Sequence, residues 1–304
     1  MVFGRFSDIV FLKFPIYLPF TYGFILYFYP EYDYILAFLT LMLLAEPHFG
    51  ATWPFLLDKV NHSKLLEDRV IFLYFPVIIV FISIIFYFTI SPLFYLIFFS
   101  VNVYHVTKQS FGIAKLYIKN LSELNFQQIV IYSFNFIFFT IGILRFYLNI
   151  LSYETSLIIA LISIATLLIC VLTYFMLYGI RENVLLMITG SIIFLPMCFI
   201  LKPIHGIVMG VTMHYMQYLA LTYKVSLKRK SEKKSPKKID YSFLIIIFSY
   251  GILMALLSLS NKTDNELFKH LLLIPLLGQL LHFFLDGFLW KFSDPHHRNH
   301  TLKY

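Results

Sequence analysis

Apolar residues run through this chain in long blocks, separated by short stretches of polar residues, glycine and proline. The blocks fall at about 10–29, 34–56, 70–90, 92–116, 127–148, 154–178, 184–201, 204–223, 241–260 and 267–291. Most reach the roughly 20 residues that carry a helix across a bilayer core. Only helices or closed barrels satisfy every backbone N–H and C=O in lipid, and runs this continuous lack the period-two alternation of a barrel strand. The pattern therefore predicts an all-α, polytopic helical membrane bundle with about ten transmembrane helices, forming one integral-membrane domain over residues 1–304.

Composition agrees with the pattern. Apolar residues make up 60% of the chain and charged residues 13%, whereas soluble domains carry about 25% charged residues. No separate soluble domain fits into what remains. Arg5 and Lys13 precede or enter the first apolar run, but no small-residue cleavage site follows it, so the run reads as a retained span rather than a signal peptide. Cys170 and Cys198 lie deep in different apolar blocks and read as packing residues.

The net charge of +8 is concentrated: eight of the 24 basic residues lie between Lys224 and Lys238. In a chain of this kind such a cluster reports topology, not nucleic-acid binding, and places the segment in the cytoplasm. With ten spans both termini fall on the same side. Arg5, Lys13, Lys59, Lys64, Arg69, Lys115, Lys119, Arg181, Lys291, Arg298 and Lys303 then join the cluster inside, leaving Arg145, Lys202, Lys262 and Lys269 outside. The expected location is a bacterial cytoplasmic (inner) membrane. Residues 225–239 are expected to be a disordered polybasic loop, with anionic lipid headgroups as a potential partner, and residues 293–304 a short cytoplasmic tail.

Against this background the ionisable residues inside the blocks stand out, because burying one without a partner costs several kcal/mol. Four blocks each carry a histidine. His48 precedes Lys59 by eleven residues, His105 precedes Lys115 by ten, His214 precedes Lys224 by ten and His282 precedes Lys291 by nine. At 1.5 Å per residue ten residues span about 15 Å, half the hydrocarbon thickness, so all four imidazoles are expected near mid-membrane. Each has polar neighbours at helical spacing: Thr52 for His48; Asn102, Lys108 and Gln109 for His105; Gln217 and Tyr218 for His214; Gln279 and Asp286 for His282. Pro47 makes the helix around Glu46 irregular and gives that carboxyl a way to turn inward.

Neutral imidazole is the commonest metal ligand and suits iron, zinc and copper. His48, His105, His214 and His282 are therefore the expected ligands of a transition metal, with Asp286 and Glu46 as ligands or catalytic carboxylates. Lys108 is expected to pair with one of those carboxylates or to bind an anionic intermediate. Gln109, Gln217, Gln279 and Tyr218 are expected to orient the imidazoles. An HEXXH protease signature is absent, and the HHRNH of His296, His297 and His300 lies past the last block, where it reads as a surface tail.

The segment AEPHFGATWPFLLD, with its PHFG, resembles the PHG-containing signature of the Brp/Blh family, and YHVTKQSFG resembles a second histidine segment of those proteins. The resemblance implies a polytopic membrane protein that cleaves β-carotene to retinal with a His-ligated non-haem iron. It departs from the family in putting His214 and His282 on different helices. PHFGAT, HVTKQSFG and HFFLDGFLWK also resemble segments of uncharacterised bacterial membrane proteins, which implies no function.

A mid-membrane site among Phe and Tyr side chains would take its substrate from the bilayer: a lipid, isoprenoid, carotenoid or fatty acyl chain. The leading expectation is a non-haem iron oxygenase acting on such a molecule. A zinc hydrolase of a lipid amide or ester, with Asp286 or Glu46 as general base toward water, uses the same residues. So does a proton- or metal-coupled transporter. A haem held by two of the histidines and a purely structural polar network are the remaining readings.

Overall fold

The apolar blocks become helices. The computed structural model describes residues 2–58, 61, 66–231, 239–262, 265–291 and 294–296, and among these no strand occurs. We number the principal helices α1 (Arg5–Lys13), α2 (Tyr17–Phe28), α3 (Pro30–Leu56), α4 (Val70–Thr89), α5 (Ser91–Tyr117), α6 (Leu121–Tyr147), α7 (Tyr153–Tyr178), α8 (Val184–Cys198), α9 (Pro203–Ser231), α10 (Tyr241–Ser258) and α11 (His270–Leu289).

Six of them, α3, α4, α6, α7, α10 and α11, are long and apolar enough to cross a membrane, and the pair α1 and α2 makes a seventh if its 51° bend is one broken span. The chain is helical and of membrane type; the ten-span count goes beyond this. The shortfall has a physical cause. The bend falls at Pro15, which cannot donate to a continuing helix, and α8 tightens into 3-10 geometry after Ile192. Helices α5 and α9 are 27 and 29 residues long, but His105, Lys108 and Gln109 in one and His205, His214 and Gln217 in the other dilute their apolar character.

The chain forms two compact units: Met1–Thr40 with Val103–Ala220, and Leu41–Asn102 with Leu221–Tyr304. In the first unit, α6, α7 and α8 are drawn together at one end by the buried carboxylate of Glu123. It accepts hydrogen bonds from Tyr174 (2.6 Å), Arg181 (3.1 Å) and Asn183 (3.1 Å). Asn135 donates to the carbonyl of Gly190 at 2.8 Å, pinning α6 to α8. Helix α9 meets α8 at Gly210, where a Cβ atom would fall 1.7 Å from the carbonyl oxygen of Ile193; only glycine admits that approach.

In the second unit α3 packs on α10 through two glycines. A Cβ on Gly251 would meet Pro47 at 2.7 Å, and one on Gly50 would meet the Tyr250 ring at 2.8 Å. Residues 41–45 adopt π-helical geometry just before Pro47, where the missing proline N–H and the bulk of its ring disturb the regular i to i−4 ladder. Helix α11 lies on α4 through the stacked rings of Phe75 and Phe284, 6.1 Å between centroids, and Leu56, Leu285 and Leu289 close a small core. Most of α4 and α7 stays uncovered, with Phe81, Ile78, Leu161 and Leu172 exposed, as suits helices facing lipid.

The polybasic stretch departs from expectation at its start. Helix α9 continues to Ser231, so residues 225–231 are helical, in keeping with the helix propensity of Lys and Arg and with ties from Arg229 to Asp58 and from Ser226 to Asp240. Residues 232–238 lie outside the described residues, as does the tail beyond His296.

Candidate metal centre

Within the second unit, α3 and α11 bring together His48, Thr52, His282 and Asp286. All four are buried, the two imidazoles completely. The i, i+4 spacing puts His48 above Thr52 on one helix and His282 above Asp286 on the other. The imidazole of His282 stands edge-on to that of His48, 4.6 Å between ring centroids, with Phe49 5.1 Å from His282 on another side.

The hydroxyl of Thr52 orders these groups. It donates to Asp286 Oδ1 at 2.7 Å, and its oxygen lies 2.7 Å from His282 Nδ1. A hydroxyl has one proton; with that proton on Asp286, the oxygen accepts from Nδ1–H. A neutral His282 then carries its lone pair on Nε2, and Nε2 lies 3.6 Å from Asp286 Oδ2. Two donor atoms on one tetrahedral ion with bonds of about 2.1 Å stand about 3.4 Å apart. The pair is thus spaced as two ligands of one metal, with Thr52 holding the tautomer as carboxylates and carbonyls do in known sites.

Glu46 is also in the second unit, buried on α3, and accepts a hydrogen bond from Gln279 Nε2 at 2.9 Å. The inward turn that Pro47 suggested is present. Gln279 therefore serves Glu46, although its i, i+3 spacing suggested that it would orient His282.

Within the first unit, His105 on α5 and His214 on α9 are both buried and lie perpendicular to each other, 5.8 Å between ring centroids. Gln217, buried one turn beyond His214, donates to the carbonyl of Leu12 at 2.6 Å. It ties α9 to α1, where an imidazole partner was expected. Tyr218 is buried and Gln109 half-buried. Lys108, expected to pair with a carboxylate or to bind an anionic intermediate, is exposed, with Nζ 5.6 Å from the centroid of the Tyr104 ring. Burying an ammonium is costly, and the three-residue offset from His105 lets Lys108 turn outward.

His48, His105, His214, His282 and Asp286 each offer a buried donor atom of the kind that binds metals, and such groups are able to hold a transition-metal ion. The donor set fits iron, zinc and copper alike.

Sequence reasoning noted Thr52 only as a neighbour of His48; its link to His282 and Asp286 crosses more than 200 residues, and no local spacing reveals it. It also passed over His205, which is buried in the first unit and hydrogen-bonded at Nδ1 to Tyr22 at 2.7 Å. The one available signal was a histidine three residues after Lys202, at the entrance to α9. No protein-family model, curated protein or solved structure matches the chain.

Proposed function

We propose that the chain is an integral-membrane metalloenzyme, a non-haem iron oxygenase acting on a lipid, isoprenoid or carotenoid taken from the bilayer. His48, His105, His214 and His282 supply imidazole ligands, and Asp286 a carboxylate. The observation that carries the reading is the Thr52–His282–Asp286 row: with Asp286 ionised and accepting from Thr52, the lone pair of His282 falls on Nε2, and a carboxylate oxygen lies 3.6 Å from it. The likeness of AEPHFGATWPFLLD and YHVTKQSFG to Brp/Blh segments supports iron among the metals that fit.

When bound, iron supplies activation of dioxygen toward a C–H or C=C bond. The residues of the chain supply the rest. Thr52 and Asp286 orient His282, Phe49 closes one side against water, and Glu46 is the buried carboxyl that can take up or release a proton. Ten spans with both termini in the cytoplasm belong to the same proposal and rest on the distribution of basic residues. So does contact of the 224–238 segment with anionic headgroups.

The test is elemental analysis of detergent-purified protein, wild type against His48→Ala, His105→Ala, His214→Ala and His282→Ala singly. Stoichiometric iron in the wild type, lost in the variants, is the expected result. Stoichiometric zinc moves the reading to hydrolysis of a lipid amide or ester. A Soret band, or metal that all four substitutions leave unchanged, overturns the proposal.

A further inference from the structure

The first unit contains a second polar cluster that uses none of the proposed metal ligands. Asp33 at the start of α3 and Lys202 just before α9 form an ion pair. The ring of His205 lies beside them, its Nε2 3.5 Å from Asp33 Oδ2. Behind the imidazole, the buried hydroxyl of Tyr22 lies 2.7 Å from Nδ1. A phenol donating to Nδ1 leaves the imidazole proton on Nε2, directed at Asp33. The row from Tyr22 through His205 to Asp33 therefore holds the carboxylate in place from inside, while Lys202 holds it from the exposed side.

Asp33, Lys202 and His205, clustered together, line a groove of about 1140 Å³. The rest of its wall is mostly apolar and includes Phe20, Phe24, Phe199, Leu201 and Met209, with the hydroxyls of Thr21, Tyr27 and Tyr153 as the exceptions. The volume exceeds the roughly 300–1,000 Å³ of most small-molecule sites, and a lining with one charged cluster and a mostly apolar remainder suits an amphiphile with one head and one tail.

Charge decides which head. Asp33 and Lys202 balance each other, and the imidazole proton is committed to Asp33. A carboxylate or phosphate head would set a second anion beside Asp33, and an ammonium head a second cation beside Lys202. Each leaves an uncompensated charge in a mostly apolar groove. A hydroxyl adds no charge and uses both members of the pair, donating to the carboxylate and accepting from the ammonium.

We propose that this groove is a binding site for a long-chain alcohol, its hydroxyl held by Asp33 and Lys202 and its chain laid along the aromatic wall. The site stands independently of the metal centre.

The experiment uses the full chain in nanodiscs and a hexadecanol derivative bearing a diazirine on its tail, with the crosslinked peptides mapped by mass spectrometry. Labelling is expected in residues 17–33 and 199–209, displaced by excess hexadecanol and about tenfold less well by hexadecanoic acid. Asp33→Asn and Lys202→Gln singly are expected to cut labelling about tenfold, because each leaves one charge unbalanced. The double variant, a neutral amide pair that still donates and accepts, is expected to recover most of it. Gel filtration and melting confirm that each variant is folded. Labelling spread along the lipid-facing sides of α4 and α7 and unchanged by substitution, which means bulk lipid contact only, overturns the proposal. So does competition by the acid equal to that by the alcohol, or a folded double variant that stays unlabelled.

Discussion

Thr52 Oγ1 is 2.7 Å from His282 Nδ1 and donates to Asp286 Oδ1 at the same distance, so one hydroxyl fixes the orientation of two proposed ligands. Thr52→Val keeps the shape and removes the hydroxyl. It is expected to weaken metal binding about 10–100-fold, as loss of an orienting partner does, and to lower stability by about 1–3 kcal/mol through the buried groups it strands. Thr52→Ser is expected to restore most of both. Metal stoichiometry after dialysis against a graded chelator series, read beside thermal melting, checks this; a valine variant that retains metal like the wild type contradicts it.

Glu123 supplies the contrasting case. Its carboxylate accepts from Tyr174, Arg181 and Asn183, but no proposed ligand belongs to that network. Glu123→Gln is expected to cost about 1–3 kcal/mol, at the lower end to the extent that the exposed Arg181 is screened by water, with metal content unchanged. Loss of metal in this variant would show the network to be more than a clamp on α6, α7 and α8.

Close packing gives a prediction of opposite sign at two glycines. A Cβ on Gly210 would fall 1.7 Å from the Ile193 carbonyl oxygen, while one on Gly112 meets nothing within 4 Å. Gly210→Ala is expected to destabilise by about 3 kcal/mol or more, since a backbone atom cannot swing aside. Gly112→Ala is expected to stabilise by about 0.5–1 kcal/mol, from helix propensity. Melting temperatures in one detergent compare them directly.

Acid sensitivity follows from Glu182, between α7 and α8. Hydrogen bonds from Lys13 and then from Arg5, with their positive charges, hold its carboxyl below the ordinary glutamate value of 4.5. A depressed folded value means that the carboxylate favours the folded state above the unfolded pKa, and that this contribution fades as pH falls through the folded value. Lys13→Gln is expected to shrink the loss of stability on acidification below about pH 4.5. A melting profile against pH that is superimposable on the wild type would refute it.

The helices were legible because lipid leaves the backbone no alternative, and a run of Phe, Ile and Leu says so without tertiary information. The breaks were harder to read. Pro15 was visible, but the change of α8 to 3-10 geometry after Ile192, four residues before Pro196, and the continuation of the helix through the basic residues 225–231 were not read. For the site, histidine spacing along each helix led to His48, His105, His214 and His282, all of them buried. Spacing failed for side chains that can turn either way. Lys108 is one turn from His105 and faces outward, and Gln279 reaches Glu46 on another helix. Thr52 and His205 were missed because their partners are distant in sequence, and a polar residue declares its role only through the group that it meets.

The row of Asp286, Thr52 and His282 admits two proton arrangements. In one, the threonine proton points to the carboxylate and the imidazole proton to the threonine, so that Nε2 offers its lone pair. In the other, a proton sits on Asp286 Oδ1 and the direction is reversed: the acid donates to Thr52, Thr52 donates to Nδ1, and the imidazole proton is on Nε2. The direction of one threonine O–H thus decides which nitrogen of His282, Nδ1 or Nε2, keeps its lone pair, and a residue 230 positions away in the sequence sets the chemical face that the imidazole presents.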